Sequence, residues 1–328
     1  MHLTARRFLR IVPAALAGIA LALPLGAVAQ SYPAKPVRII VPFPPGGPAD
    51  VIGRMFADKL QGLWGQPVVI DNRAGAAGNV GSEVTAKSAP DGYTILLCAS
   101  SHVTNSALYA KLPYDPIRDF TPISQVAYYA LMLVTHPSVP VASLRELVAY
   151  AKANPGKLSW ASAGSGTPTH LTAELFRAAS GIDFLHVPYK GAAPATNDLL
   201  GGQVQAMFNN PVSALPHVRS GQLRGLATTG AQRSPTAPDL PTVAELGYPG
   251  FEAGTWYALL GPVAMPKDIA SKVAADANAV LRMADIRSRL AAQGVEPVGT
   301  TPEQLLAIMN ADLEKWTKVI RAANIKPD

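Results

Sequence analysis

The strongest constraint on this chain is a pattern that occurs twice: a β-branched run, a glycine-rich loop, then apolar residues at helical spacing. Val37-Arg38-Ile39-Ile40-Val41 ends in Pro42-Phe43-Pro44-Pro45-Gly46-Gly47, and Val51, Ile52, Met55, Phe56 and Leu60 follow with the period of one helix face. Later, Leu158-Ser159-Trp160-Ala161 leads into Ala163-Gly164-Ser165-Gly166-Thr167-Pro168, with a helix expected over 171–180. The alternation continues around each unit. The first adds strands at 68–70 and 93–98 and a helix near 82–88. The second adds strands at 131–134, 184–189, 204–208 and 223–228, and helices at 144–153 and 195–200. Such alternation is the signature of parallel α/β structure. The tail from residue 269 reads as helical, Val273, Ala277, Val280 and Leu281 sharing one face and residues 305–320 another.

The composition allows two such units. The chain has 328 residues, 48% of them hydrophobic and 15% charged, so it can bury substantial cores and is not disordered as a whole. One cysteine excludes a disulfide scaffold and cysteine-based metal clusters. The net charge of +6 is partly local: without Arg6, Arg7 and Arg10, 25 basic residues face 22 acidic ones, and no nucleic-acid partner is expected. Those arginines open an export signal. An uncharged apolar run over 11–28 ends in Ala27-Val28-Ala29, a small-x-small cleavage pattern, so residues 1–29 are expected to be removed and the protein to act in the periplasm. A membrane anchor is the competing reading, disfavoured because the run is rich in alanine and glycine and broken by Pro24.

The two glycine loops are the first candidates for a site. Each follows a strand and opens a helix, where backbone N–H groups point outward unpaired and the helix dipole attracts an anion. Glycine lets a ligand approach the backbone, and loops at the carboxyl ends of strands are where open α/β sheets bind ligands. Evidence for catalysis is weaker. Gly164-Ser165-Gly166 lacks the spacing of a nucleophile elbow, and neither loop completes a dinucleotide fingerprint or a P-loop, so no cofactor is expected. His102, His136, His170, His186 and His217 show no metal-binding spacing; a structural role fits His170 and His186 better than catalysis. Cys98 reads as a buried, inert thiol, and Trp256 and Tyr257 as either cleft or core.

These segments together resemble the Bug family, the solute-binding proteins of tripartite tricarboxylate transporters. The matching residues are Ile40-Val41-Pro42-Phe43-Pro44-Pro45-Gly46-Gly47 with Asp50, Asn72-Arg73-Ala74-Gly75-Ala76-Ala77-Gly78, and Pro90-Asp91-Gly92-Tyr93-Thr94. Lys111-Leu112-Pro113-Tyr114-Asp115, Ser162-Ala163-Gly164-Ser165-Gly166-Thr167 and His186-Val187-Pro188-Tyr189-Lys190-Gly191 continue the series, which Pro216-His217-Val218-Arg219-Ser220-Gly221 and Asp239-Leu240-Pro241-Thr242 extend.

The resemblance implies a two-lobed α/β fold of the type II periplasmic-binding (Venus flytrap) kind. Lobe 1 would comprise 30–128 and 228–328 and lobe 2 129–227, with crossings near the strands at 131–134 and 223–228. It implies a carboxylate held by backbone N–H groups and ordered waters rather than by an arginine. The loop residues Phe43, Pro44, Pro45, Gly46 and Gly47, and Ser162, Ala163, Gly164, Ser165, Gly166 and Thr167, would form that grip, with Ser100, Ser101, Asn209 and Tyr257 nearby. Asn209 stands where the family often has Asp, and Ala258 where Gly is common; both are expected to face the cleft. The implied partners are a small carboxylate and the membrane permease subunits, the protein itself being a monomer and no enzyme. The rival is an exported α/β hydrolase or transferase using Ser165 or Ser101.

Overall fold

The structure, a computed structural model, describes residues 32–326, so the expected signal at 1–29 lies outside the described residues. The strand–loop–helix pattern builds two sheets. In the first half, β1 (Val37–Val41), α1 (Pro48–Trp64), β2 (Val68–Asn72), α2 (Asn79–Ala86), β3 (Thr94–Ala99), α3 (Ser101–Leu108) and β4 (Phe120–Ala130) follow in order. The middle holds β5 (Met132–Thr135), α4 (Leu144–Ala153), β6 (Ser159–Ser162), α5 (Pro168–Ser180), β7 (Leu185–Pro188), α6 (Ala192–Leu200), β8 (Ala206–Asn209), α7 (Pro211–Arg219) and β9 (Arg224–Thr228). β10 (Gly254–Pro262), α8 (Lys267–Arg282), α9 (Ala284–Ala292), β11 (Glu296–Pro297) and α10 (Pro302–Ala322) complete the chain.

The first sheet has the order β11-β4-β10-β3-β1-β2 and the second β7-β6-β8-β5-β9. In each, the parallel core meets strands running the other way: β10 is antiparallel to β3 and β4, and β5 to β8 and β9. The chain passes from the first sheet to the second at Leu131 and returns after Thr228. These two passages are tied together, because Thr229 N–H donates to the Leu131 carbonyl and Leu131 N–H to Thr229 Oγ1.

Local chemistry explains the helix starts. α1 and α5 both carry proline at the first helical position, where a missing N–H costs nothing, and both end on a left-handed glycine, Gly65 and Gly181. Ser143 accepts from Glu146 N–H to start α4, and Thr301 with Gln304 forms a reciprocal capping box on α10. α2 begins at Asn79, three residues before the expected start near 82, because Gly78 takes a positive φ of 98° and turns the chain directly into the helix.

Several elements escape the sequence reading, among them α3, β4, α7, β10 and β11. β10 is buried along its length and sits mid-sheet, so it lacks the two-residue alternation that marks a half-exposed strand. β4 contains Pro122 and the buried polar pair Ser124 and Gln125, whose partners come from far along the chain: Thr300 N–H donates to Ser124 Oγ, and Gln125 N–H to Thr300 Oγ1. α3 is polar in sequence, yet Ser101, His102, Thr104 and Asn105 are all buried. Its His102 donates from Nε2 to the Pro116 carbonyl, which can only accept, leaving Nδ1 to accept from Ser82. Burial holds this ring's pKa down to about 4 against the opposing pull of the Pro116 carbonyl.

Candidate ligand-binding site

A cavity of about 590 Å³ opens between the two sheets, and the starts of several helices surround it. Phe43, Pro44, Pro45, Gly46 and Gly47 reach it from the β1–α1 loop, and Ala163, Gly166 and Thr167 from the β6–α5 loop. The loop from Lys190 to Pro194 at the start of α6, and Asn210 to Ser213 at the start of α7, complete the second-lobe wall. From the first sheet come Ala99, Tyr129, Thr255 and Tyr257, and from α3 Ser101 and Asn105. Most of this wall is apolar; Lys190 is the one charged side chain lining the cavity among the described residues.

The helix starts supply the polarity. Asn210 caps α7 by accepting from Ser213 N–H, whereas Gly47 and Thr167 make no side-chain cap on α1 and α5. The first-turn N–H groups of α1 and α5 therefore face the cavity without a side-chain cap, and their dipoles place partial positive charge there. Such an arrangement suits an anion. The two arginines that follow the first glycine loop in the sequence are engaged with aspartates. Arg54 Nε lies 2.9 Å from Asp50 Oδ2, and Arg73 Nε 2.9 Å from Asp71 Oδ1. Burial pushes the Asp50 carboxyl up, but hydrogen bonds from Arg54, the Gly46 N–H and Asn72 outweigh it and hold Asp50 below the usual carboxylate range.

The two loops are built alike. Gly46 N–H donates to Asp50 Oδ2 at 2.9 Å, and Gly166 N–H to His170 Nδ1 at 3.0 Å, each reaching a side chain four residues on. Both glycines have positive φ, 81° and 74°. Tyr129 and Tyr257 lie side by side on the cavity wall with hydroxyls 3.5 Å apart; burial raises both phenol pKa values and keeps them neutral.

The structure brings ten of the expected residues to the cavity: Phe43, Pro44, Pro45, Gly46, Gly47, Ser101, Ala163, Gly166, Thr167 and Tyr257. Ser100, Ser162, Gly164, Ser165 and Asn209 are not among its lining residues. Ser162 and Asn209 are fully buried, Ser162 Oγ lying 2.7 Å from His186 Nε2 and Asn209 Nδ2 donating to Thr196. The expectation that Asn209 and Ala258 face the cleft is corrected here. Ala258 alternates with Tyr257 along β10 and so takes the opposite face of the sheet, and it is Asn210, one residue past β8, that reaches the cavity.

Asn105, Tyr129, Thr255, Lys190 and Asn210 line the cavity unanticipated. One signal was available: Asn210-Pro211 repeats the cap-then-proline start of Gly47-Pro48 and Thr167-Pro168.

Comparison with known proteins agrees with this architecture. Residues 52–325 match the model of the tripartite tricarboxylate transporter family receptor. The chain is 41% identical over 322 residues to Protein BugT of Bordetella pertussis, covering 98% of each. It superposes with a TM-score of 0.83 on R. palustris Rpa4515 with adipate, at 35% identity over 90% of this chain and all of that one. With MatC of Rhodopseudomonas palustris, which has bound malate, the TM-score is 0.78 at 31% identity over 88% of this chain and all of that one. A paired-sheet fold, a cavity walled by both lobes and a match over most of the length lead to one conclusion: the chain belongs to the tripartite tricarboxylate transporter receptor family of periplasmic solute-binding proteins.

Proposed function

We propose that this protein captures a small carboxylate, of the size of malate or adipate, between its lobes and delivers it to the membrane permease of a tripartite transporter. The observation that carries this is the pair of α1 and α5 starts, which make no side-chain cap and meet one cavity from opposite lobes while Arg54 and Arg73 are held by aspartates. The adipate and malate in the two similar proteins support the ligand class. The lobes, 30–128 with 228–328 and 129–227, close on the ligand as a monomer after export and cleavage behind Ala29. In the Ser162–His186 pair, Ser162 is fully buried and does not line this cavity, which favours binding over catalysis. The test is calorimetry and small-angle scattering with adipate and malate, alongside an assay for their consumption. Binding should raise stability by about 2.7 kcal/mol at ~100 times Kd and reduce the radius of gyration. Turnover of the ligand, or no binding by either acid, overturns the reading.

A further inference from the structure

The matched construction of the two loops has one asymmetry: the side chain anchoring the first is a carboxylate, and the one anchoring the second is an imidazole. A backbone N–H can only donate, so the Gly166 contact requires a lone pair on His170 Nδ1 and puts the ring's proton on Nε2, which lies 3.7 Å from Glu174 Oε1. The His170 ring stacks on His186, with centroids 3.8 Å apart and planes within 10°. His186 Nε2 in turn meets Ser162 Oγ, which accepts from Gly164 N–H at 3.2 Å. Both glycines of the loop thus rest on one pair of stacked imidazoles.

We propose that His170 is a positioning residue for the second-lobe grip, and that its protonation lowers ligand affinity as the medium acidifies. This rests on the carboxylate-binding reading. A proton on Nδ1 sets N–H against N–H, so Gly166 loses its acceptor and the loop that lines the cavity loses its anchor. The charged and titratable groups facing the ring from its own helix and from β7 are the buried Glu174, Arg177, which lies 3.5 Å from Glu174, and the stacked His186. Of the other elements packed against α5, β6 and β8 carry no titratable side chain and β10 brings the neutral Tyr257. On α10, Asp312 takes the Trp256 indole, Lys315 the Glu252 carbonyl, and Glu314 pairs with Lys318. Asp50, tied to Arg54 and Asn72, holds the first loop over the same pH range, and His102 stays neutral above about pH 4.

The experiment compares the wild type with His170→Asn, whose Oδ1 replaces the Nδ1 acceptor without titrating, and with His170→Phe, which offers no acceptor. Calorimetry with malate and adipate at about pH 7.5 and about pH 5.5 is read as a ratio to His170→Asn in the same buffers, which cancels titration of the acids. The wild type should lose about three- to tenfold more affinity than His170→Asn on acidification, the worth of one hydrogen bond, and His170→Phe should bind weakly at both pH values. The Gly166 amide signal in ¹⁵N NMR should move over this range in the ligand-free wild type and stay still in His170→Asn. Parallel affinity profiles, or a stationary Gly166 signal in the wild type, overturn the proposal. If neither acid binds at any pH, the carboxylate reading fails, the affinity claim fails with it, and the Gly166 titration alone judges the anchor.

Discussion

Gly47 and Gly166 sit in equivalent loops for different physical reasons. Gly166 has a φ of 74°, and a side chain there would collide with Leu108 of the other lobe, so backbone and packing both demand glycine. Gly47 has an ordinary extended φ of −77°, and an added Cβ would meet only the Pro44 carbonyl at 3.5 Å. Its missing side chain leaves the start of α1 open to a ligand. His102 shows what full burial does to a titrating group. With its pKa held to about 4 when folded and near 6.5 when unfolded, the unfolded chain binds the extra proton, so this histidine's stability contribution is complete above about pH 6.5 and lost as pH falls to about 4. The expected loss is about 3 kcal/mol, read as a falling urea midpoint; a flat midpoint over that range would contradict it. The sequence excluded metal-binding spacing for His102, but neither its structural role nor its burial was legible, since Ser82, Pro116 and Phe120 reach it from elsewhere along the chain.

Elements were legible where local chemistry decides them. The proline-led starts of α1 and α5, the Ser143 cap of α4 and the β-branched run of β1 are all written within a few residues of the element they make. β4 and β10 were not, because their identity depends on partners over a hundred residues away. The Thr300–β4 link tests this directly. Thr300→Val keeps the shape but removes Oγ1, leaving the buried Gln125 N–H without an acceptor. A loss of about 1–3 kcal/mol in urea unfolding is expected, with affinity for carboxylate unchanged, since Thr300 does not line the cavity. Unaltered stability would mean that β4 is held by its neighbours in the sheet alone.

At the scale of the whole molecule, two sheets joined at Leu131 and beyond Thr228 bring helix starts from distant parts of the sequence to one cavity. The two glycine loops announced themselves separately in the sequence; α7 shares their cap-then-proline start, whereas that α6 also begins there follows only from how the second sheet is ordered. In the proposed grip, backbone N–H groups of opposed helices, and no arginine, hold the anion. Gly47→Asp tests it most directly, because aspartate is a favoured N-cap: it can accept the α1 first-turn N–H groups itself while placing negative charge in the cavity. Calorimetry with malate and adipate on Gly47→Asp, Arg54→Ala and Arg73→Ala is the decisive measurement. The Gly47→Asp protein should be folded and at least as stable as the wild type, with its affinity lower by about a hundredfold or more, while each arginine variant stays within about tenfold. Lost binding in either arginine variant, with Gly47→Asp still binding, would contradict it.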